Sequence, residues 1–227
     1  MKSLPLFILL AVLLSACGPR RTVVRSFFHW QSTEGFYNKE TEYLDTLQIE
    51  RVYVRYFEVD WDSRRKRALP LRTITESSDH QSREVVPHIA ISERCMAQIP
   101  DRKVPELAVQ VHDRLARLTE GQQFSEILID CPWTEGSRDN YFAFLDTLAS
   151  MFDPALSFSV SMHPYHVQQS AILGVPEVDR AMLMLFEYPA PVEEAGSVSI
   201  LPEERLRNQL QNLPQYPLPV DLALPVF

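Results

Sequence analysis

Seven short apolar runs recur along the chain, and stretches with apolar residues at three- and four-residue spacing separate them. The runs are 22–30 (TVVRSFFHW), 51–60 (RVYVRYFEVD), 84–92 (EVVPHIAIS), 126–131 (EILIDC), 156–163 (LSFSVSMH), 180–188 (RAMLMLFEY) and 219–227 (PVDLALPVF). Several hold four or more Val, Ile, Leu or Phe, the pattern of strands buried on both faces of a parallel sheet. Helices are expected over 39–47, with Tyr43, Leu44 and Leu47 on one face, and over 104–118, with Val104, Leu107, Ala108, Val111, Leu115 and Leu118. Two more are expected over 138–152, after Ser137 as N-cap, and over 202–213, opened by Pro202. The second of these pairs carries Tyr141, Phe142, Leu145, Leu148 and Phe152, then Leu206, Leu210 and Leu213. The stretch 61–83 has no clear apolar period. Its basic run Arg64-Arg65-Lys66-Arg67 reads as a solvated loop, with an acidic ligand as the minority reading.

Strand–helix alternation at this spacing predicts an α/β fold with parallel strands. A TIM-like (β/α)8 barrel has eight strands, and only seven are legible, the last ending on Leu222-Ala223-Leu224-Pro225-Val226-Phe227. The expectation is an incomplete barrel with an apolar open edge, poorly behaved alone. The alternative, an open doubly wound sheet, usually carries a G-x-G-x-x-G turn. None occurs, and six Gly leave little room for one.

Composition narrows the class. With 45% hydrophobic and 23% charged residues the chain is that of a folded globular protein. Its 22 Lys+Arg against 30 Asp+Glu give a charge of −8, which argues against a nucleic-acid partner. No motif implies a cofactor. His163 and His166 stand three apart without the other ligands of a zinc site, so no metal is implied, and both read as solvated or core residues. No G-x-S-x-G elbow is present.

Residues 1–16 read as a signal peptide: Lys2, then an apolar stretch Leu4 to Leu14, too short to span a bilayer. Leu14-Ser15-Ala16-Cys17 resembles the bacterial lipobox, in which the chain is cut before the Cys and the thiol receives a diacylglycerol. Residues 17–21 would then be the lipidated Cys and a tether, and 22–227 the barrel-like domain. This makes the protein's partner a membrane of the cell envelope, held through Cys17. Gly18 is not the Asp that resembles an inner-membrane retention signal, so the outer membrane is the expected location. Cys95 and Cys131 follow successive strands and are expected within about 10 Å in a parallel barrel. An oxidising compartment permits a disulfide, although two buried free thiols are the favoured state.

In such a barrel, polar residues at strand C-termini form the site. Those ends read His29-Trp30-Gln31, Glu58-Val59-Asp60-Trp61-Asp62, Ser92-Glu93-Arg94, Asp130-Cys131-Pro132-Trp133-Thr134-Glu135, His163-Pro164-Tyr165-His166 and Glu187-Tyr188. Acids, His and aromatics recur, as a carbohydrate site requires. Asp60 and Asp62 are candidates to hold sugar hydroxyls. Trp30, Trp61 and Trp133 are candidate stacking surfaces, with His163 beside them. Asp60, Asp130 and Glu187 are expected at one mouth, crowded enough to raise at least one carboxyl pKa.

The segments 27–30 (FFHW), 52–61 (VYVRYFEVDW), 127–131 (ILIDC), 138–142 (RDNYF) and 178–184 (VDRAMLM) resemble a group of Bacteroidetes-type lipoproteins. Those are similar in turn to glycoside hydrolase family 18 barrels, and the resemblance covers most of 22–227. It implies D-x-D-x-E at the end of strand four, whose Glu protonates the leaving oxygen while the substrate's own acetamido group attacks. Residues i, i+2 and i+4 of a strand share a face. Asp130 takes the first position, Pro132 and Thr134 stand at the other two, and Glu135 is one residue out of phase. The candidate catalytic residues are Asp130, Glu135 and Glu187. Glu135 or Glu187 would be the general acid, and Asp130 would orient it and raise its pKa. The first reading is thus a membrane-anchored lipoprotein whose barrel binds a glycan and is a candidate to hydrolyse it. The second is a non-catalytic envelope binding or scaffolding lipoprotein. Cys17→Ala is expected to shift the protein from the membrane fraction to the soluble fraction. Unchanged fractionation would refute the anchor.

Overall fold

The computed structural model describes residues 23–29, 38–73, 83–185 and 203–224. In chain order the elements are β1 (Ser26–His29), α1 (Asn38–Thr46), β2 (Arg51–Asp62), β3 (Arg67–Thr73), β4 (Glu84–Ile91), α2 (Glu93–Gln98), α3 (Val104–Leu118), β5 (Glu126–Asp130), α4 (Arg138–Ala149), β6 (Ser157–Met162), α5 (Pro164–Gln168), α6 (Ser170–Leu173), β7 (Arg180–Met184), α7 (Glu203–Leu210) and β8 (Val220–Ala223). Seven strands run parallel in the spatial order β1-β2-β4-β5-β6-β7-β8. Sequential neighbours throughout are the order of a barrel; a doubly wound sheet reverses part-way.

The sheet curls so that its two edge strands pack on one interior cluster. Tyr53, Val86, Leu128, Met182 and Met184 form one buried cluster, and both Phe28 of β1 and Ala223 of β8 pack on it. Seven strands laid flat at about 4.8 Å spacing would hold the two edges roughly 29 Å apart. The Tyr53 hydroxyl on β2 also feels the charge of Asp221 on β8. The result is a nearly closed (β/α)8-like barrel.

The larger core lies outside the barrel wall. Val52, Val54, Ile89, Ile91, Ile127, Ile129 and Val160 point outward and pack with Val104, Leu107, Val111, Leu115, Tyr141, Phe144, Leu145 and Leu148 of the helices. α3 matches its expected span, with Pro105 in the first turn, and buries the expected stripe. α1 does not: Leu44 is buried, but Tyr43 and Leu47 are 67% and 47% exposed. Ser137 precedes α4 without capping it. Its hydroxyl instead accepts from the Thr134 N–H at 2.9 Å.

β2 is long, and one bulge sets its facing. Its pairing with β4 shifts register between Arg55 and Phe57, so Tyr56 is the extra residue. Tyr56 and Phe57 are then both buried in the outer core, and Glu58 and Asp60 regain the inner face that Arg51, Tyr53 and Arg55 share. The stretch 61–83 is corrected. It contains β3, which folds back antiparallel along Phe57–Asp62 and covers the edge of β2 beyond β1. The alternation of β3 is broken at Leu71, the extra residue where the pairing with β2 shifts register, so Arg67, Pro70 and Leu71 are the exposed positions. The basic run is the exposed turn of this hairpin.

At the N-terminal end of the strands an ionic floor closes the barrel. Arg51 of β2 donates to Glu84 of β4 at 2.9 Å and to Glu126 of β5 at 2.8 Å. Glu126 is 2% exposed and also accepts from Ser159 at 2.6 Å and Tyr53 at 3.3 Å. Removing one partner of a buried ion pair leaves an uncompensated charge. Arg51→Met is therefore expected to lose about 3 kcal/mol of stability in urea, part of it restored by adding Glu126→Gln. A loss under about 1 kcal/mol would reduce the network to an ordinary surface pair.

Candidate functional site

Inward-facing residues climb from the floor in layers. On β4 they are Glu84, Val86, His88 and Ala90; on β5 Glu126, Leu128 and Asp130; on β6 Ser157, Ser159 and Ser161. The registers Ala90↔Asp130 and Ser161↔Met182 set the top layer. Asp130 accepts from the Ser161 hydroxyl, and its Oδ2 lies 3.3 Å from His88 Nε2. That approach is felt electrostatically but is off the line of a hydrogen bond. Both His88 ring nitrogens are buried without a hydrogen-bond partner among the described residues. Phe28 meets the imidazole edge-on at 4.8 Å. Burial pushes His88 below its usual range, against the pull of Asp130. Burial would raise Asp130, but His88, Ser161 and Arg55 outweigh it and hold the carboxyl below its usual range. Arg55 and Glu58 complete the layer, 4.0 Å apart.

The rim above is built by Asp60. It accepts from the Trp61 N–H at 2.7 Å, from Ser92, and from Arg94 Nε at 3.2 Å, with a second Arg94 nitrogen on its other oxygen. Burial works against ionisation here, and these bonds prevail, so Asp60 also lies low. Ser92 caps α2 at the same time, its oxygen accepting from the Cys95 N–H at 3.0 Å. Asp60 and Asp130 therefore stand at the same end of the barrel, as expected. For these two carboxyls the expectation that crowding raises a pKa is corrected, and Glu187 lies outside the described residues. Asp60 and Asp130 are lowered, because each is surrounded by donors and cations rather than by the other acids.

Several expected ligand contacts are corrected too. Trp133 is wholly buried: its indole N–H donates to the Leu173 carbonyl at 3.0 Å and its ring stacks on His166 at 3.6 Å, leaving no face for a sugar. Trp61, 8% exposed, packs in the outer core. Asp62 points into the hairpin turn, where one oxygen accepts from the Arg64 and Arg65 N–H groups at 2.8 and 3.0 Å. Glu135 is exposed on the loop after β5, and His163 is half-buried at the N-terminus of α5, stacked on Tyr165. Trp30, Glu187 and Cys17 lie outside the described residues. Cys95 and Cys131 are both buried and free, and Cys95 lies near enough to add to the upward push of burial on Cys131.

His88, Ser161, Arg55 and Glu58 were missed as site residues, although each is a polar residue in phase with an inward neighbour inside an apolar run. His166 is a core histidine. Its Nδ1 accepts from the His163 N–H at 2.9 Å, so Nε2 carries the proton given to the Trp133 carbonyl at 3.0 Å. Neither nitrogen is left for a metal, and no group of three ligating side chains occurs among the described residues. A shallow hollow lined by Phe158, Val178 and Asp179 sits at the opposite, N-terminal end of β6 and β7, away from these acids.

The class this defines is a (β/α)8-like barrel with a polar, acid-bearing mouth at the C-terminal ends of its strands. Solved structures share that fold. The chitinase domain of the spore coat protein CotE from Clostridium difficile superposes with a TM-score of 0.57 at 13% identity, over 93% of this chain and 67% of that one. The spore cortex-lytic enzyme SleL of Bacillus cereus gives 0.54 at 14%, over 88% of this chain and 49% of that one. SleL of Bacillus megaterium QM B1551 gives 0.53 at 15%, over 90% and 51%. The chain spans about half the length of the two cortex-lytic enzymes. No family model and no curated protein sequence matches the chain.

Burial lowers His166 from 6.5 to about 3. A histidine lowered on folding contributes stability that is fully present above its unfolded value and is lost as pH falls toward the folded one. Stability should thus decline from about pH 6.5 to about pH 3, by up to ~1.4 kcal/mol per pH unit for this proton. Between about pH 5.5 and pH 4, His166→Gln should flatten the slope by that amount. Urea midpoints across the range measure it, and an unchanged slope would refute the assignment.

Proposed function

We propose that the chain is a glycan-binding barrel of the cell envelope, held at a membrane through a lipidated Cys17, with its site at the C-terminal mouth. The observation that carries this reading is Asp130, an ionised carboxylate at the top of the barrel's inner face. The Ser161 hydroxyl occupies part of its accepting capacity, and a carboxylate offers about four lone-pair sites. The rest can take sugar hydroxyls, with Asp60 above it on the rim. Ligands of such barrels bind at this end. The likeness to a chitinase domain makes an N-acetylated glycan the first probe.

Binding without hydrolysis is the form that the described residues favour. Protonating a leaving oxygen needs an acid that keeps its proton near neutral pH. Asp60 and Asp130 are both held ionised, and Pro132 and Thr134 have no carboxyl to offer. Glu135 stands out on the loop rather than over Asp130.

The full-length protein should bind soluble chito-oligosaccharides without releasing new reducing ends. Asp130→Asn, with its melting temperature matched to the parent, should weaken binding about tenfold, as expected for one charged hydrogen bond. Failure to bind any N-acetylated glycan would overturn the reading. Release of reducing ends that Glu135→Gln or Glu187→Gln abolishes would replace binding by hydrolysis.

A further inference from the structure

The hairpin of β2 and β3 carries the densest charge of the described chain. Arg64, Arg65, Lys66 and Arg67 are consecutive and exposed, in a protein whose net charge is −8. Asp62 is the one acid that pairs with them among the described residues, at 3.8 Å from Arg65. The turn is costly for the fold. Its like charges repel one another, and Lys66 adopts φ +50°, a left-handed conformation that Gly or Asn takes with less strain. Neither packing nor turn geometry asks for cations here.

The tip is also well aimed. β2 ends at Asp62, so the turn projects from the C-terminal end of the parallel strands, the end that carries Asp60 and Asp130. Pairing of Phe57–Asp62 with Arg67–Thr73 and burial of Trp61 at its base hold the hairpin in place. At about 3.3 Å per residue the tip stands roughly 10–13 Å beyond Asp60. A ligand touching both must be elongated, and its outer portion meets the four basic side chains of the tip.

We propose that the glycan taken at this mouth is an acidic one, whose carboxylate, sulfate or phosphate groups are engaged by the cationic tip of the β2–β3 hairpin. The proposal rests on the glycan-binding reading above. A lipid surface is the less favoured source of the anionic groups. β1 enters the barrel at the floor, and nine residues separate Ser26 from Cys17, a reach of at most about 32 Å. An anchor at Cys17 would attach to the floor end of the barrel, and β2 sets the tip roughly 40 Å from that end.

Carboxymethyl chitin and neutral glycol chitin present one backbone with and without acid groups. The full-length protein should bind the carboxymethyl polymer about tenfold more tightly at low salt, the worth of a few exposed ion pairs, and the preference should fade as salt screens it. Arg64→Ser, Arg65→Ser and Lys66→Asn combined should erase the preference and leave binding of glycol chitin unchanged. Equal binding of the two polymers by the parent, or a preference that survives the triple change, overturns the acidic ligand while glycan binding stands. Binding of neither polymer removes both readings. Tip-dependent binding to vesicles of anionic phospholipid, without any preference between the polymers, overturns the proposal in favour of a membrane contact.

Discussion

Arg51 holds carboxylates from two neighbouring strands, and the interior of the barrel is built on that contact. Glu84 of β4 is the register partner of Arg51 on β2, and Glu126 reaches the same guanidinium from β5. Barrels of this fold are usually filled by branched apolar layers. Here the lowest layer is ionic, and a charge pair of this kind tolerates little displacement, because its attraction must offset the desolvation of both groups. It fixes which residues of three strands face inward. With Arg51, Glu84 and Glu126 all facing inward, the two-residue repeat of each strand turns His88 and Asp130 inward nearer the mouth.

The bulge at Tyr56 shows how far that constraint reaches. Without it, β2 would carry its inner face through Phe57 and Val59, and two large apolar residues would sit over Asp130. With it, Glu58 and Asp60 face the barrel axis while Phe57, Val59 and Trp61 join the outer core. The same insertion lets β2 run past β4 into the hairpin, since Val59 still pairs with Ile91 and β3 takes up the free edge beyond. One extra residue therefore sets both the polarity of the mouth and the platform that carries the basic tip.

Much of the fold was legible in the residues. All seven parallel strands and the long helices lie where apolar runs and three- and four-residue spacing put them. β3 was not legible, because a bulge at Leu71 breaks its two-residue repeat, and the exposed positions fall at Arg67, Pro70 and Leu71. The site was half legible. Asp60 and Asp130 follow from strand ends, but the surroundings that depress them come from Ser92 and Arg94 at the start of α2, Ser161 on β6 and His88 on β4. Trp133 illustrates the opposite failure. A tryptophan after a strand is read as a binding surface, yet the backbone returning from Pro132 carries it into the helical layer against His166 and Tyr141.

That return also bears on chemistry. A strand that continued in phase past Asp130 would place residues 132 and 134 over the mouth, and strand β5 stops at Asp130 instead. The Trp133 N–H donates to the Cys131 carbonyl at 2.8 Å, a tight turn that takes the chain out of the sheet. Thr134 then donates its hydroxyl to Glu93 at 2.9 Å, on the loop side of the rim. Local geometry, and not only residue identity, separates this segment from an acid-bearing strand end. Among the described residues the mouth holds pre-oriented acceptors in Asp60 and Asp130, whose donors are already arranged. Such a set suits holding hydroxyl groups, which needs fixed acceptors. It does not suit delivering a proton, which needs an acid whose charge is disfavoured until the bond breaks.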